Sequence, residues 1–77
     1  MTSEPSLDAR GLKCPLPVLK ARKALQALEP GAVLAVTADD PAGLVDFPHF
    51  CAEQGHELVA VEEGAGGATT YRIRRAG

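Results

Sequence analysis

The sequence predicts an α+β fold, a two-layer α/β sandwich in which two helices cover one face of a small four-stranded mixed sheet, in the order β-α-β-α-β-β. Three observations carry this. Val18, Ala21, Leu25 and Leu28, with Ala24, recur at helical spacing as an apolar stripe, and Lys20 and Lys23 fall on the opposite side. Val33, Leu34 and Val36 form a short apolar run between the breakers Glu29-Pro30-Gly31 and Asp39-Asp40-Pro41, which reads as a buried strand. Tyr71 and Ile73 alternate with Thr70, Arg72 and Arg74 beyond the glycine turn Gly64–Gly67, as in one arm of a hairpin. Apolar stripes of this kind are buried most simply by laying both helices on one sheet face.

The elements follow in order. Residues 1–77 make one domain, with Met1 to Pro5 as a loose tail. Ser6 to Arg10 is a short strand with Leu7 and Ala9 facing in, and Gly11 turns the chain. The first helix is expected from Pro15 to about Leu28, and a strand from Ala32 to Ala38. Asp40 suits the N-cap of a second helix and Pro41 its first position. Pro48 cannot sit deep inside a helix, so a break is expected near Val45, with Asp46 capping a second piece that runs to about Gln54. Gly55 terminates it. His56 to Glu63 and Thr69 to Arg75 are the last two strands. In the former, Leu58 alternates with exposed neighbours, although Val59 and Val61 leave its inward face ambiguous.

Composition narrows the function. With 4% aromatic residues, the core rests on Leu, Val, Ile and Ala, and Phe47, Phe50 and Tyr71 are the only large rings. A net charge of -2 gives no argument for nucleic acid or a membrane surface. No apolar run is long enough to span a bilayer, and the first residues do not read as a secretory signal. The charge is uneven, however. Arg10, Lys13, Lys20, Arg22 and Lys23 lie in the first third, and no Lys or Arg occurs from Ala24 to Tyr71, where acids recur. The molecule is therefore expected to be polarised, with a basic end.

Cys14 lies at that end, between Lys13 and Pro15. Pro15 fits the first helical position and Pro17 the same first turn, where a missing N–H costs nothing. Cys14 is then the expected N-cap, with the free N–H groups of Leu16 and Val18 and the helix dipole aimed at its sulfur. Such a site lowers a thiol pKa, and Arg10 and Lys13 add positive charge. The reading is an exposed, reactive, anionic cysteine. The competing reading is a small buried residue ahead of a helix. The two prolines, the flanking lysine and the glycine turn favour the first.

Cys14-Pro15-Leu16-Pro17 is a Cys-Pro-x-Pro motif. With Leu7-Asp8-Ala9-Arg10-Gly11-Leu12 before it, the chain resembles the TusA/SirA-like sulfur-carrier family. Asp39-Asp40-Pro41, Asp46-Phe47-Pro48 with Phe50-Cys51, Gly55-His56-Glu57-Leu58 and Tyr71-Arg72-Ile73-Arg74 extend the resemblance over roughly residues 7 to 75. The resemblance implies a sulfurtransferase that acts as a shuttle rather than a self-sufficient enzyme. Cys14 would accept a sulfane sulfur as a persulfide, with Pro15 and Pro17 as the scaffold of the motif. The implied donor is a cysteine desulfurase or a rhodanese-type protein, and the implied acceptor is another sulfur-relay protein. The downstream pathway is open between tRNA thiolation, molybdenum-cofactor assembly and sulfur oxidation. Leu16 stands where members serving tRNA thiolation often carry an acid. Arg10, Lys13, Lys20 and Lys23 would steer the protein towards acidic partners.

The remaining candidates have plainer readings. Cys51 follows Phe50 on the inner side of the second helix and reads as packing rather than as a second sulfur carrier. His49 and His56 have no spacing that makes either a base for Cys14. Asp39 and Asp40 read as a helix cap and a solvated turn rather than metal ligands. The two cysteines show neither a zinc spacing nor a disulfide framework. Gly64–Gly67 is not a phosphate loop. No cofactor, no metal and no direct nucleic-acid or membrane binding is expected, and a free reactive thiol fits the reducing cytoplasm. The alternative function is a non-catalytic regulatory or redox-sensing interaction module. A Cys14 pKa at or above the free-cysteine value of about 8.5 favours that alternative.

Overall fold

The computed structural model describes residues 4–76. Its elements are β1 (Ser6–Asp8), α1 (Leu16–Gln26), β2 (Val33–Ala38), α2 (Gly43–Gln54), β3 (Glu57–Glu63) and β4 (Thr69–Arg74), with a short 3-10 turn at Ala65–Gly67 between the last two strands. The four strands form one mixed sheet in the order β1-β2-β4-β3. β1 runs parallel to β2, and β4 is antiparallel to both β2 and β3. The α+β two-layer arrangement expected from the sequence is the observed one.

Alternation decides what each strand buries. Along β2, Leu34, Val36 and Ala38 are buried, and Val33, Ala35 and Thr37 are only half-buried. Val36 pairs with Tyr71 and Leu34 with Ile73, so these four side chains share the helix-covered face. α1 lays Pro17, Ala21 and Leu25 on that face, and α2 lays Phe47, Phe50 and Cys51 there. Of these, Ala21, Leu25, Phe47, Phe50 and Cys51 join Leu34, Val36, Tyr71 and Ile73 in one continuous core. The opposite sheet face is polar. Arg72 pairs with Glu62 and Glu4, Arg74 pairs with Glu57, and the Thr37 and Thr70 hydroxyls lie 3.0 Å apart.

Phe47 and Tyr71 stack at 4.3 Å between ring centroids with 22° between planes, and both are almost fully buried. Gly43 lets this happen. A Cβ at that position would meet the Tyr71 hydroxyl oxygen at 2.8 Å and Phe47 at 3.3 Å. Glycine is needed here for close approach, not for an unusual backbone angle.

Three expectations are corrected. α2 is one continuous helix with Pro48 inside it, not two pieces broken near Val45. Its start is closed by short i→i−3 bonds from Gly43, Leu44 and Val45 N–H to Asp40, Pro41 and Ala42 O, so Pro48 comes soon after this tight first turn. The lost bond is the one to the Leu44 carbonyl, on a residue that is itself exposed. The second correction concerns Glu4 and Pro5, placed in the loose tail. Pro5 O accepts from Ala35 N–H at 3.0 Å, and Glu4 is ion-paired with Arg72. Met1, Thr2 and Ser3 of that tail lie outside the described residues. Third, α1 is shorter at both ends than Pro15–Leu28. In β3, a register shift between Leu58 and Ala60 leaves Leu58 half-buried opposite Ile73, with Val59 and Val61 exposed.

Two outcomes are expected. Gly43→Val forces a branched side chain into the Phe47–Tyr71 stack and lowers stability by about 2 kcal/mol in urea unfolding. Pro48→Ala restores a backbone donor to α2 and raises stability by about 1 kcal/mol in the same assay.

Candidate functional site

β1 and β2 are parallel neighbours, so the loops leaving their carboxyl ends meet at one edge of the sheet. The first loop carries Cys14 and the second carries Asp39 and Asp40. Asp39 and Asp40 join them. Gly11 N–H donates to Asp39 Oδ1 at 3.0 Å, and Cys14 N–H donates to Asp40 Oδ2 at 2.8 Å. The other Asp40 oxygen accepts from Ala42 N–H at 3.1 Å. One carboxylate thus closes the turn into α2 and holds the backbone of the cysteine at the same time. Gly11 has φ 81°, which a glycine adopts at no steric cost. Three backbone donors fall on these two acids, and Asp40 accordingly has its pKa lowered by the Cys14 and Ala42 N–H groups.

Cys14 is a free, exposed thiol. It lies two residues ahead of α1, not at its N-cap. The N-cap position is Pro15, and Pro17 lies in the first turn. The Cys14–Pro15 peptide bond is cis. Leu16 N–H, expected to point at the sulfur, donates instead to Lys13 O at 2.8 Å.

A groove of about 200 Å³ opens beside the thiol, between the start of α1 and the length of α2. Pro15, Val18 and Phe50 give it an apolar floor, and Asp46, His49 and Glu53 line it from α2. These three residues recur at intervals of three and four along the helix, so they share one side of it. His49 Nε2 and Glu53 Oε1 are 3.4 Å apart.

The electrostatics of Cys14 are opposite to the expectation. Its pKa is raised, not lowered. The leading cause is hydrogen bonding of the thiol to the Asp46 carboxylate, which needs the sulfur protonated; desolvation follows, then repulsion from Asp46 and Asp40. The basic residues do not gather at the sulfur. The Arg10 guanidinium is committed to Asp8, through Nε to Oδ1 at 2.9 Å and Nη2 to Oδ2 at 3.0 Å. That pair and the nearby Lys20 hold Asp8 down to about 2. Lys13 acts on Asp40, and Lys23 lies in the last turn of α1, at the far end of the helix. A helix N-terminus is worth at most about 1 kcal/mol at an exposed site, and only within its first turn. A facing carboxylate outweighs it here.

The plainer candidates sort as follows. Cys51 is 3% exposed, and burial pushes its thiol pKa up, as expected of a packing residue. His56 is tilted against Phe50 at 5.5 Å, and its Nδ1 accepts from Ala76 N–H at 2.9 Å, so it braces the chain away from Cys14. His49 does share the Cys14 groove, although no spacing pointed to it. Asp46 and the anchoring role of Asp40 were missed. Asp40 was legible as a helix cap, but its second oxygen reaches across 26 positions of sequence. Asp46 was read as a cap because a break was expected beside it. Among the described residues, no group of His, Cys, Asp and Glu side chains is placed to hold a metal ion.

Comparison with known proteins fits this geometry. In three dimensions the chain is similar to the crystal structure of the SirA-like protein from Desulfitobacterium hafniense, with a TM-score of 0.80 and 27% sequence identity over 94% of this chain and 97% of that one. A family model described as sulfurtransferase TusA matches residues 6–75, which takes in every helix and strand. The chain belongs to the TusA sulfurtransferase family, and sulfur transfer within a relay is the role that membership supports.

Proposed function

We propose that the protein is a persulfide carrier whose sulfur-bearing residue is Cys14. The observation that carries this reading is the setting of the thiol: exposed, at the mouth of an open groove, with its own N–H pinned by Asp40. A carrier sulfur must be reachable by two successive partner thiols, which a surface loop permits and a deep pocket does not. In loading, the Cys14 thiolate attacks the outer sulfur of a donor persulfide. A new S–S bond forms at Cys14, the donor S–S bond breaks, and the donor cysteine leaves as a thiolate. In delivery, an acceptor thiolate attacks the outer sulfur and Cys14 leaves as the thiolate. No net oxidant is needed in either step. Pro15 and Pro17 shape the loop, and the shallow groove suits docking on a larger protein.

The donor is a cysteine desulfurase or rhodanese-type protein and the acceptor a further relay protein, in a reducing cytoplasm that keeps the thiol free. No described helix is long and apolar enough to cross a membrane. Arg10, Lys13, Lys20 and Lys23 are candidates for contacts with such partners.

The raised Cys14 pKa favours a second reading, an interaction or redox-sensing module without sulfur transfer. The carrier reading accommodates it. A thiol of higher pKa has less thiolate at neutral pH, but each thiolate is the stronger nucleophile.

Loading separates the two. After incubation with a cysteine desulfurase and L-cysteine, intact mass is expected to show a gain of one sulfur atom, removed by reductant and absent in Cys14→Ser. If Cys14→Ser still gains the sulfur, or the wild type gains none from desulfurase, rhodanese-type or polysulfide donors, the carrier reading fails. The thiol itself is tested by its alkylation rate against pH. Because the facing carboxylates disfavour the charged form, the midpoint is expected above the free-cysteine value of about 8.5 and is expected to fall in Asp46→Asn.

A further inference from the structure

Every charged side chain that bears on the Cys14 sulfur is acidic. Asp46 stands closest in effect and Asp40 next. Glu53 lines the same groove, and His49 is paired with Glu53 rather than with Asp46. Lys13, on the cysteine loop, acts on Asp40 through its charge, and the Arg10 guanidinium is held by Asp8. Among the described residues, Asp46 makes no salt bridge. It is half-buried on the wall of a groove with an apolar floor, where a lone carboxylate is less well screened than on an open surface. A thiolate or persulfide on Cys14 would therefore sit beside like charge, and among the described residues no Lys or Arg bears on it.

We infer that Asp46 is a specificity-determining residue: it makes Cys14 react preferentially with partners whose thiol-bearing segment is cationic, carrying Lys or Arg beside the reacting sulfur. The inference rests on the carrier reading and names the partner chemistry that reading leaves open. It also reverses the expectation that a basic surface steers the protein to acidic partners. A partner cation entering the groove meets Asp46 and supplies the missing counter-charge. Pro15, Val18 and Phe50 on the groove floor offer apolar contact beside it. An anionic segment meets Asp40, Asp46 and Glu53 together. Selection and activation coincide, because the charge that attracts the partner is the charge that opposes ionisation of Cys14 until the partner offsets it.

The test needs no sulfur donor, so its result is separable from that of the loading assay. Two symmetric disulfides of matched length are used, cystamine as the dication and 3,3′-dithiodipropionate as the dianion. The Cys14 thiolate attacks one sulfur, the disulfide bond breaks, a mixed disulfide forms and the other half leaves as a thiolate. Each rate, read by intact mass, is divided by that of N-acetylcysteine amide to remove intrinsic reactivity, and Cys14→Ser gives the background from Cys51. At low salt the normalised rate with cystamine is expected to exceed that with dithiodipropionate by about fivefold or more, as expected of a unit charge a few ångströms away in a wet site. The preference is expected to collapse in molar salt and in Asp46→Asn, and to return in Asp46→Glu. A carboxylate that only braced the loop would change both rates together and leave their ratio alone. A wild-type ratio at or below one, a ratio indifferent to salt, or one unchanged in Asp46→Asn overturns the inference.

Discussion

The site depends on one carboxylate shared between two segments of backbone. Asp40 accepts from Ala42 N–H with one oxygen and from Cys14 N–H with the other. The first contact closes the turn that starts α2. The second holds the loop that leads to α1. Each backbone donor would otherwise need water or another partner, because the N–H groups at helix starts have no intrahelical acceptor. Charge-assisted bonds of this kind are stronger than neutral ones, so the geometry is well defined although the loop is at the surface. The arrangement is possible because β1 and β2 are parallel, which brings the ends of two strands far apart in sequence to the same edge.

α2 is the second determinant. Gly43 at its start leaves room for Tyr71, and Phe47 one turn later stacks on the same ring. These contacts fix the helix in rotation as well as position. Asp46 precedes Phe47 by one residue, so packing that buries Phe47 also sets Asp46 on the groove wall. His49 and Glu53 follow on the same side. The core thus determines the electrostatics of the thiol, through a helix that has to accommodate Pro48 to do so.

This makes Cys14 an unusual cysteine for the sulfur-carrying role proposed for it. Many reactive cysteines are activated by cations or helix ends that lower their pKa. Cys14 has Asp46 and Asp40 acting on it, and Arg10, near it in sequence, is paired with Asp8. The facing carboxylates disfavour its charged form. In the proposed shuttle this would have a physical advantage, since a thiol with less thiolate when free is less exposed to adventitious oxidation.

Most of the fold was legible in the sequence, because periodicity and breakers are local. Val18, Ala21 and Leu25 announced α1, the Val33–Val36 run announced β2, and Tyr71 and Ile73 announced the buried side of β4. Cys14 stood out for the same reason, as a residue defined by its immediate neighbours. Pro48 was misread because propensity argued for a break, and packing of Phe47 and Phe50 on either side of it kept one helix. The charge around Cys14 was misread for a deeper reason. Lys13 and Arg10 are its neighbours along the chain, whereas Asp40 and Asp46 are its neighbours in space, and a Coulomb interaction depends only on the latter. The sequence by itself determined which atom is the candidate for sulfur chemistry and what sheet and helices carry it. Only the tertiary structure, by folding α2 against the cysteine loop, decided the sign of the field in which that atom works.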